Sequence, residues 1–130
     1  MSTEPLWYEL RNAVYSREYE LAERLLSAAP YLLTLGNSLG ETVLHFLAVE
    51  NDLEGVSWLH ARGAAIDTKS EFGTPAIFEV AQLGYKELLA WFIQHGADLH
   101  AVDANGNGLA AHLEEYEQPE MRDHVRQYGV

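Results

Sequence analysis

The sequence predicts an all-α fold built from about four stacked helix-turn-helix units. Gly40, Gly73 and Gly106 stand thirty-three residues apart, and the residues that follow the first two glycines resemble each other. The segments 62–67 and 95–100 return at the same spacing. Each period also holds two short apolar stretches with helical spacing, separated by a turn. A fixed period of this size is typical of a stacked array, in which each unit covers apolar surface that its neighbour cannot bury alone.

The chain of 130 residues is expected to form a single domain. An N-terminal capping unit is expected over about 5–39, two repeats over about 40–72 and 73–105, and a C-terminal capping unit over about 106–130. The end units are more polar or have lost part of the glycine pattern, as expected where one side has no neighbour. This pattern predicts a whole four-unit protein.

Two helices are predicted in the second unit. Thr42 is expected to cap the first of them, and Asn51 and Asp52 to end it. The second helix is expected to end at Gly63, in the left-handed conformation that glycine adopts at helix C-termini. The apolar positions predicted to face inward are Val43, Leu44, Leu47, Ala48, Leu53, Val56 and Leu59.

The third unit predicts the same pair of helices. Thr74 is expected to cap a helix that has Pro75 at its first position, and the second helix is expected to end at Gly96. The predicted inward positions are Ile77, Val80, Ala81, Leu88, Leu89, Phe92 and Ile93. Two tryptophans stand one period apart and are assigned to seams between helices: Trp58 and Trp91.

Composition and charge exclude several classes of function. Twenty acidic against eight basic residues give a net charge of −12, and the basic residues are scattered, so nucleic-acid binding is disfavoured. The acidity either attracts a basic partner or serves only solubility. There is no cysteine, no apolar run of the length that a membrane span needs, and no secretion signal. These features predict a cytoplasmic protein without membrane contact, monomeric when free.

No pattern in the sequence indicates catalysis, a cofactor or a metal. No two of the six histidines stand at i, i+4, and His95 and His100 are separated by a turn, so each histidine is assigned a structural or surface role. The serines lack a nucleophile motif. The segment Gly106–Gly108 lacks the lysine of a phosphate-binding loop. The carboxylates in 114–120 are interpreted as a solvated helix face, and we predict no enzymatic activity.

The motif Gly-x-Thr-x-Leu-His at 40–45, followed by Ala48 and by Gly-Ala-Ala at 63–65, resembles the ankyrin repeat. The resemblance implies antiparallel helix pairs stacked side by side, with β-hairpin fingers that project from them. It also implies that His45 bonds backbone at the hairpin. Pro75 lies one place earlier than the proline of the family, so its helix is expected to begin a residue early.

The resemblance further implies where a protein partner binds, namely at the finger tips and on the concave face of the first helices. The corresponding positions in this chain are Ser38, Leu39, Glu41, Phe46, Val49, Glu50, Glu71, Phe72, Thr74, Glu79, Gln82, Leu83, Asn105, Asn107, His112, Glu115 and Tyr116. Large apolar side chains within an acidic rim favour a basic protein as the partner. The opposing interpretation is that Leu39 and Phe72 pack against neighbouring fingers.

Three functions are compatible with these features. The first is a non-enzymatic protein–protein interaction module. The second is an immunity-type inhibitor that neutralises a cognate basic toxin, as some small acidic ankyrin-like proteins do. The third is an enzyme that uses the histidines, which the missing motifs disfavour.

Overall fold

The computed structural model describes residues 4–130 as four consecutive pairs of helices. The pairs are α1 (Pro5–Tyr15) with α2 (Tyr19–Ala28), α3 (Val43–Val49) with α4 (Leu53–Ala61), α5 (Ala76–Gln82) with α6 (Lys86–Gln94), and α7 (Leu109–Glu115) with α8 (Pro119–Arg126). A short 3₁₀ helix, Pro30–Leu33, follows the first pair. The prediction of an all-α fold is confirmed. Within residues 4–130 no helix combines the length and the apolar character needed to cross a membrane.

The helices repeat with the period of the sequence. The helices α3, α5 and α7 have seven residues each, and each begins thirty-three residues after the previous one. The starts of α4, α6 and α8 have the same spacing. The sequence period is therefore a structural period, and it continues into the C-terminal unit.

The predicted start of the third-unit helix is wrong. The helix begins at Ala76, while Pro75 is its N-cap residue with an extended backbone, and Thr74 lies outside it. The equivalent residue Thr42 caps α3, since its side chain accepts a hydrogen bond from the His45 N–H at 3.2 Å. Because packing of the repeat fixes where each first helix starts, the shifted proline takes the cap position without moving the helix.

The first helices of the four pairs pack on one another in chain order. The helix α1 packs on α3, α3 on α5, and α5 on α7, whereas the second helices approach their neighbours less closely. The buried layer between them contains large apolar side chains such as Trp7, Leu10, Leu44, Leu47, Ile77, Phe78, Leu89, Phe92 and Leu109. We call the solvent-facing side of α1, α3, α5 and α7, with the residues that end these helices, the groove.

The assignment of the two tryptophans to helix seams is confirmed. Trp58 of α4 stacks on Tyr19 of α2, with ring centroids 5.2 Å apart. Trp91 of α6 meets the edge of His60 on α4 at 5.3 Å. Each tryptophan thus fills the joint between its own second helix and the preceding one, where aromatic pairs add to the free energy of burial.

Tight turns stand where the sequence predicts β-hairpin fingers. Over residues 4–130 the structure has one isolated antiparallel bridge, between Lys69 and Pro75, and no longer strand. Each turn is closed by two backbone hydrogen bonds: Gly40 N to Asn37 O and Asn37 N to Glu41 O in the first, with equivalents one and two periods later. We call the segments 37–41, 70–74 and 103–107 the three turn tips.

Neighbouring turn tips approach too closely for a side chain at Gly40. This residue has φ of +75°, and a Cβ atom there would lie 2.7 Å from the Glu71 nitrogen. That nitrogen donates a hydrogen bond to the Leu39 carbonyl at 2.8 Å. The first two turn tips are therefore joined through their backbones, and their side chains remain available to solvent.

Candidate functional site

The predicted partner-binding residues divide into three groups by exposure. The exposed group is Ser38, Leu39, Glu50, Glu71, Phe72, Leu83, Asn105, Glu115 and Tyr116. The half-buried group is Phe46, Val49, Thr74, Glu79, Gln82 and Asn107. Two residues are buried, so their prediction as surface contacts is wrong: Glu41 and His112.

The turn tips and the groove present large apolar side chains to solvent. Phe72 is 63% exposed and Leu39 is 45% exposed, so neither is packed away against a neighbouring finger. Leu83 and Tyr116, each 48% exposed, directly follow α5 and α7 and lie one period apart. Exposed apolar side chains thus recur at the turn tips and after the first helices.

Carboxylates surround these apolar side chains, but fewer than the sequence predicts. Glu50, Glu71 and Glu115 are exposed. The Glu115 carboxylate accepts a hydrogen bond from the Asn107 amide at 2.7 Å, which orients it beside the third turn tip. The other two predicted rim carboxylates turn inward, because both face a buried imidazole.

That imidazole belongs to His45, which is fully buried on α3. Its Nε2 contacts the Glu79 carboxylate of α5 and lies 4.0 Å from Glu41 Oε2. Its Nδ1 lies 3.3 Å from the Thr68 hydroxyl. The implied bond from His45 to hairpin backbone is therefore replaced by contacts with three side chains. Burial, together with the charge of Glu79, raises the pKa of Glu41 above its ordinary value.

His112 is a second buried histidine, and it connects the third and fourth units. Its Nδ1 lies 2.7 Å from Asp103 Oδ2, and its Nε2 lies 2.9 Å from Gln82 Oε1. Burial alone would raise the pKa of Asp103, but hydrogen bonds from His112 and from the N–H groups of Asn107 and Asn105 hold it below its ordinary value. His112 therefore stabilises the stack and is closed to a partner.

The groove continues onto α1, where the sequence analysis assigned no contact residues. Tyr8 is 42% exposed and Tyr15 is 57% exposed. A cavity of about 290 Å³ opens between α1 and α3, lined by Arg11, Asn12, Tyr15, Phe46, Leu47 and Glu50. The Arg11 guanidinium lies over the Phe46 ring at 5.2 Å from its centroid.

The backbone conformation gives the alignment of these first-unit residues with the later units. Arg17 and Asn51 are left-handed residues at the turns between α1 and α2 and between α3 and α4, with φ of 63° and 60°. They stand thirty-four residues apart, so a step one residue longer than the period brings α1 into register with α3. With that step, Tyr15 takes the position of Val49 in the groove.

Comparison with models of known protein families finds no match for this chain. The resemblance to ankyrin repeats therefore depends on the sequence motifs alone.

Proposed function

We propose that this chain is a non-enzymatic module of ankyrin-repeat type that binds a basic protein through its turn tips and groove. The agreement between the thirty-three-residue sequence period and the helix starts supports the architecture. Packing of each first helix on the next supports it as well. The turn tips are shorter than hairpin fingers, yet they occur once per unit at the expected place.

The observation that best supports binding is the exposure of Phe72. Its ring is 63% exposed at the second turn tip, beside the carboxylate of Glu71. An aromatic ring that the fold leaves in solvent is the type of residue that contributes most binding free energy when a partner covers it. Its acidic neighbour favours a cationic partner and disfavours an acidic one.

The groove extends this surface across several units. Leu83 and Tyr116 directly follow α5 and α7 and are exposed. Tyr15, the exposed last residue of α1, lies one position before the residue of the first unit that corresponds to them. Glu50 takes the corresponding place after α3. One row of groove residues thus combines apolar contact area with negative charge, which suits a folded protein surface better than a small ligand.

The overall charge supports the choice of a basic protein. A net charge of −12 repels phosphate backbones and accelerates the approach of a cationic protein at low ionic strength. One specific form of this function is an immunity-type inhibitor, which neutralises a basic toxin by covering it. The strong acidity of the chain favours that form.

Site-specific photo-crosslinking in the native host tests the proposal. A photoreactive phenylalanine analogue at Phe72 or at Leu83 is expected to trap the same basic protein. The matched control places the analogue at Tyr128, an exposed aromatic residue after α8 whose ring meets His124. Equal crosslinking from Tyr128, or a different set of proteins from Phe72 and Leu83, would show that the groove and turn tips are not one binding surface.

A further inference from the structure

Three potential metal ligands from three segments meet between the second and third helix pairs. They are Glu41 at the first turn tip, His45 on α3 and Glu79 on α5. One nitrogen and two carboxylate oxygens from these residues all lie within 4.8 Å of one another. In sequence, Glu41 and His45 stand at i, i+4, while Glu79 comes from the following unit, so the set forms only on folding.

Two of these side chains are oriented by further hydrogen bonds. The Asn37 amide lies 3.5 Å from Glu41 Oε1 as donor, which directs Oε2 towards the imidazole. The Thr68 hydroxyl lies 3.3 Å from His45 Nδ1, which leaves Nε2 to face the carboxylates. Outer partners of this kind hold ligand side chains in position in metal centres.

The cluster also has an unbalanced buried charge. Glu41 is 8% exposed and His45 is 0% exposed. Within residues 4–130, Glu41 Oε2 has no hydrogen-bond donor within 3.5 Å, and its closest cationic partner is His45 Nε2 at 4.0 Å. One imidazole, even when protonated, neutralises only one of the two carboxylates. Glu41 Oε1 already accepts from the Asn37 amide, so Oε2, on a side chain that is 11% exposed, is the oxygen that faces the imidazole and can take a further ligand.

We propose that Glu41, His45 and Glu79 bind a divalent transition-metal ion, of which Zn²⁺ suits the donors best. Imidazole nitrogen is a ligand for zinc, iron, copper and nickel, and carboxylates complete such sites. Three protein ligands leave a fourth position for water. A metal ligand binds in its deprotonated form, so a proton carried by His45 Nε2 passes to solvent when the metal binds. The ion then joins α3 to α5, independently of any protein partner.

The other buried histidine, His112, gives a comparison, because its surroundings do not call for a metal ion. His112 faces one carboxylate, Asp103, and one amide, Gln82, so its partners balance it without an ion. A competing site for added metal lies on the outer helices, where the rings of His60 and His95 are 5.3 Å apart. A test must separate this surface pair from the buried cluster.

The test is calorimetric titration of the full chain, stripped of metal by a chelator, with ZnCl₂. We expect saturable binding of one ion per chain, with proton release that changes the measured heat between buffers. E41Q and E79Q should each weaken binding by at least about 10-fold, since loss of an outer partner alone costs about 10–100-fold. H95Q, the matched control, should bind as the unchanged chain does. MgCl₂ should show no comparable binding.

Each result decides the proposal. Circular dichroism of the metal-free variants first confirms that they are folded. E41Q is the decisive variant, because glutamine has nearly the same size as glutamate and still forms hydrogen bonds but carries no charge. Binding abolished by H95Q and retained by E41Q would place the metal at the surface histidines and overturn the proposal. No saturable zinc binding to the folded chain would overturn it as well.

Discussion

The Arg17 guanidinium forms a two-point ion pair with the Asp52 carboxylate, with nitrogen–oxygen distances of 3.0 and 2.6 Å. Arg17 follows α1 in a left-handed conformation, and Asp52 follows the equivalent left-handed residue after α3. Asp52 also caps α4 by accepting the Gly55 N–H. The Asp52 carboxylate thus stabilises the turn between α3 and α4 and also connects this helix pair to α1 and α2.

Replacement of Asp52 by alanine should destabilise the chain by about 2–3 kcal/mol. Breaking a buried pair costs about 3–5 kcal/mol, which is reduced here because the Arg17 side chain is 37% exposed, while the lost cap adds about 1 kcal/mol. Urea unfolding followed by circular dichroism measures the change. The control is E54Q, because Glu54 pairs with the same arginine but is 63% exposed, and it should cost less than about 0.5 kcal/mol. An equal loss of stability in the two variants would show that Asp52 contributes no more than the exposed Glu54.

Phe72→Ala should separate binding from folding. The ring is 63% exposed, so its removal should change the free energy of unfolding by less than about 0.5 kcal/mol. Affinity for the protein partner should fall by at least about 2 kcal/mol if the ring is an anchor. F92A is the contrasting variant, because Phe92 is 0% exposed and its loss should cost about 3–5 kcal/mol of stability. A stability loss in F72A that matches its affinity loss would show that the ring serves packing.

The exposed carboxylates of the binding surface should control the rate of association. A triple variant with glutamine at Glu50, Glu71 and Glu115 should bind its basic partner more slowly at low salt, because long-range attraction is reduced. The association rate of the unchanged chain should fall as ionic strength rises. Stopped-flow mixing between low and physiological salt measures both. A rate independent of salt in both proteins would contradict electrostatic steering.

The Asp103 carboxylate should make the free energy of unfolding fall as the pH is lowered below about 4. Its pKa is lowered in the folded chain, so its contribution is complete above its unfolded value of about 3.9 and is lost as pH falls through the folded value. The stability difference between the unchanged chain and D103N should therefore shrink on acidification. Unfolding curves between pH 2.5 and 6 measure it, with D123N as an exposed control. A difference that stays constant over this range would contradict the lowered pKa.

The sequence predicts the all-α fold and the positions of the repeated helices, because the repeat consists of short-range signals. Thr42 marks a helix start, and its equivalents one and two periods later cap α5 and α7 whatever their identity, as Pro75 shows. The structure does not follow the local proline rule there, since packing between units outweighs it. The thirty-three-residue period does not predict the register of the first unit, because its step to the second unit is one residue longer.

Burial of individual polar residues was not predictable from one unit. The resemblance assigned Glu41 and His112 to the surface, but both are buried and each lies beside a side chain of α5. His112 meets Gln82, thirty residues away, and His45 meets Glu79, thirty-four residues away. Such contacts depend on how units stack, which a repeat pattern does not specify. Exposed positions such as Phe72 were easier, because turn tips project in any stacked arrangement.

The central claim is that the turn tips and groove form one binding surface for a basic protein. Its most direct test is an amide chemical-shift map of the isotope-labelled chain, titrated with the protein trapped by crosslinking. The largest shifts should follow the surface from Leu39 and Phe72 to Leu83 and Tyr116. Shifts confined to the outer helices α4, α6 and α8 would contradict it.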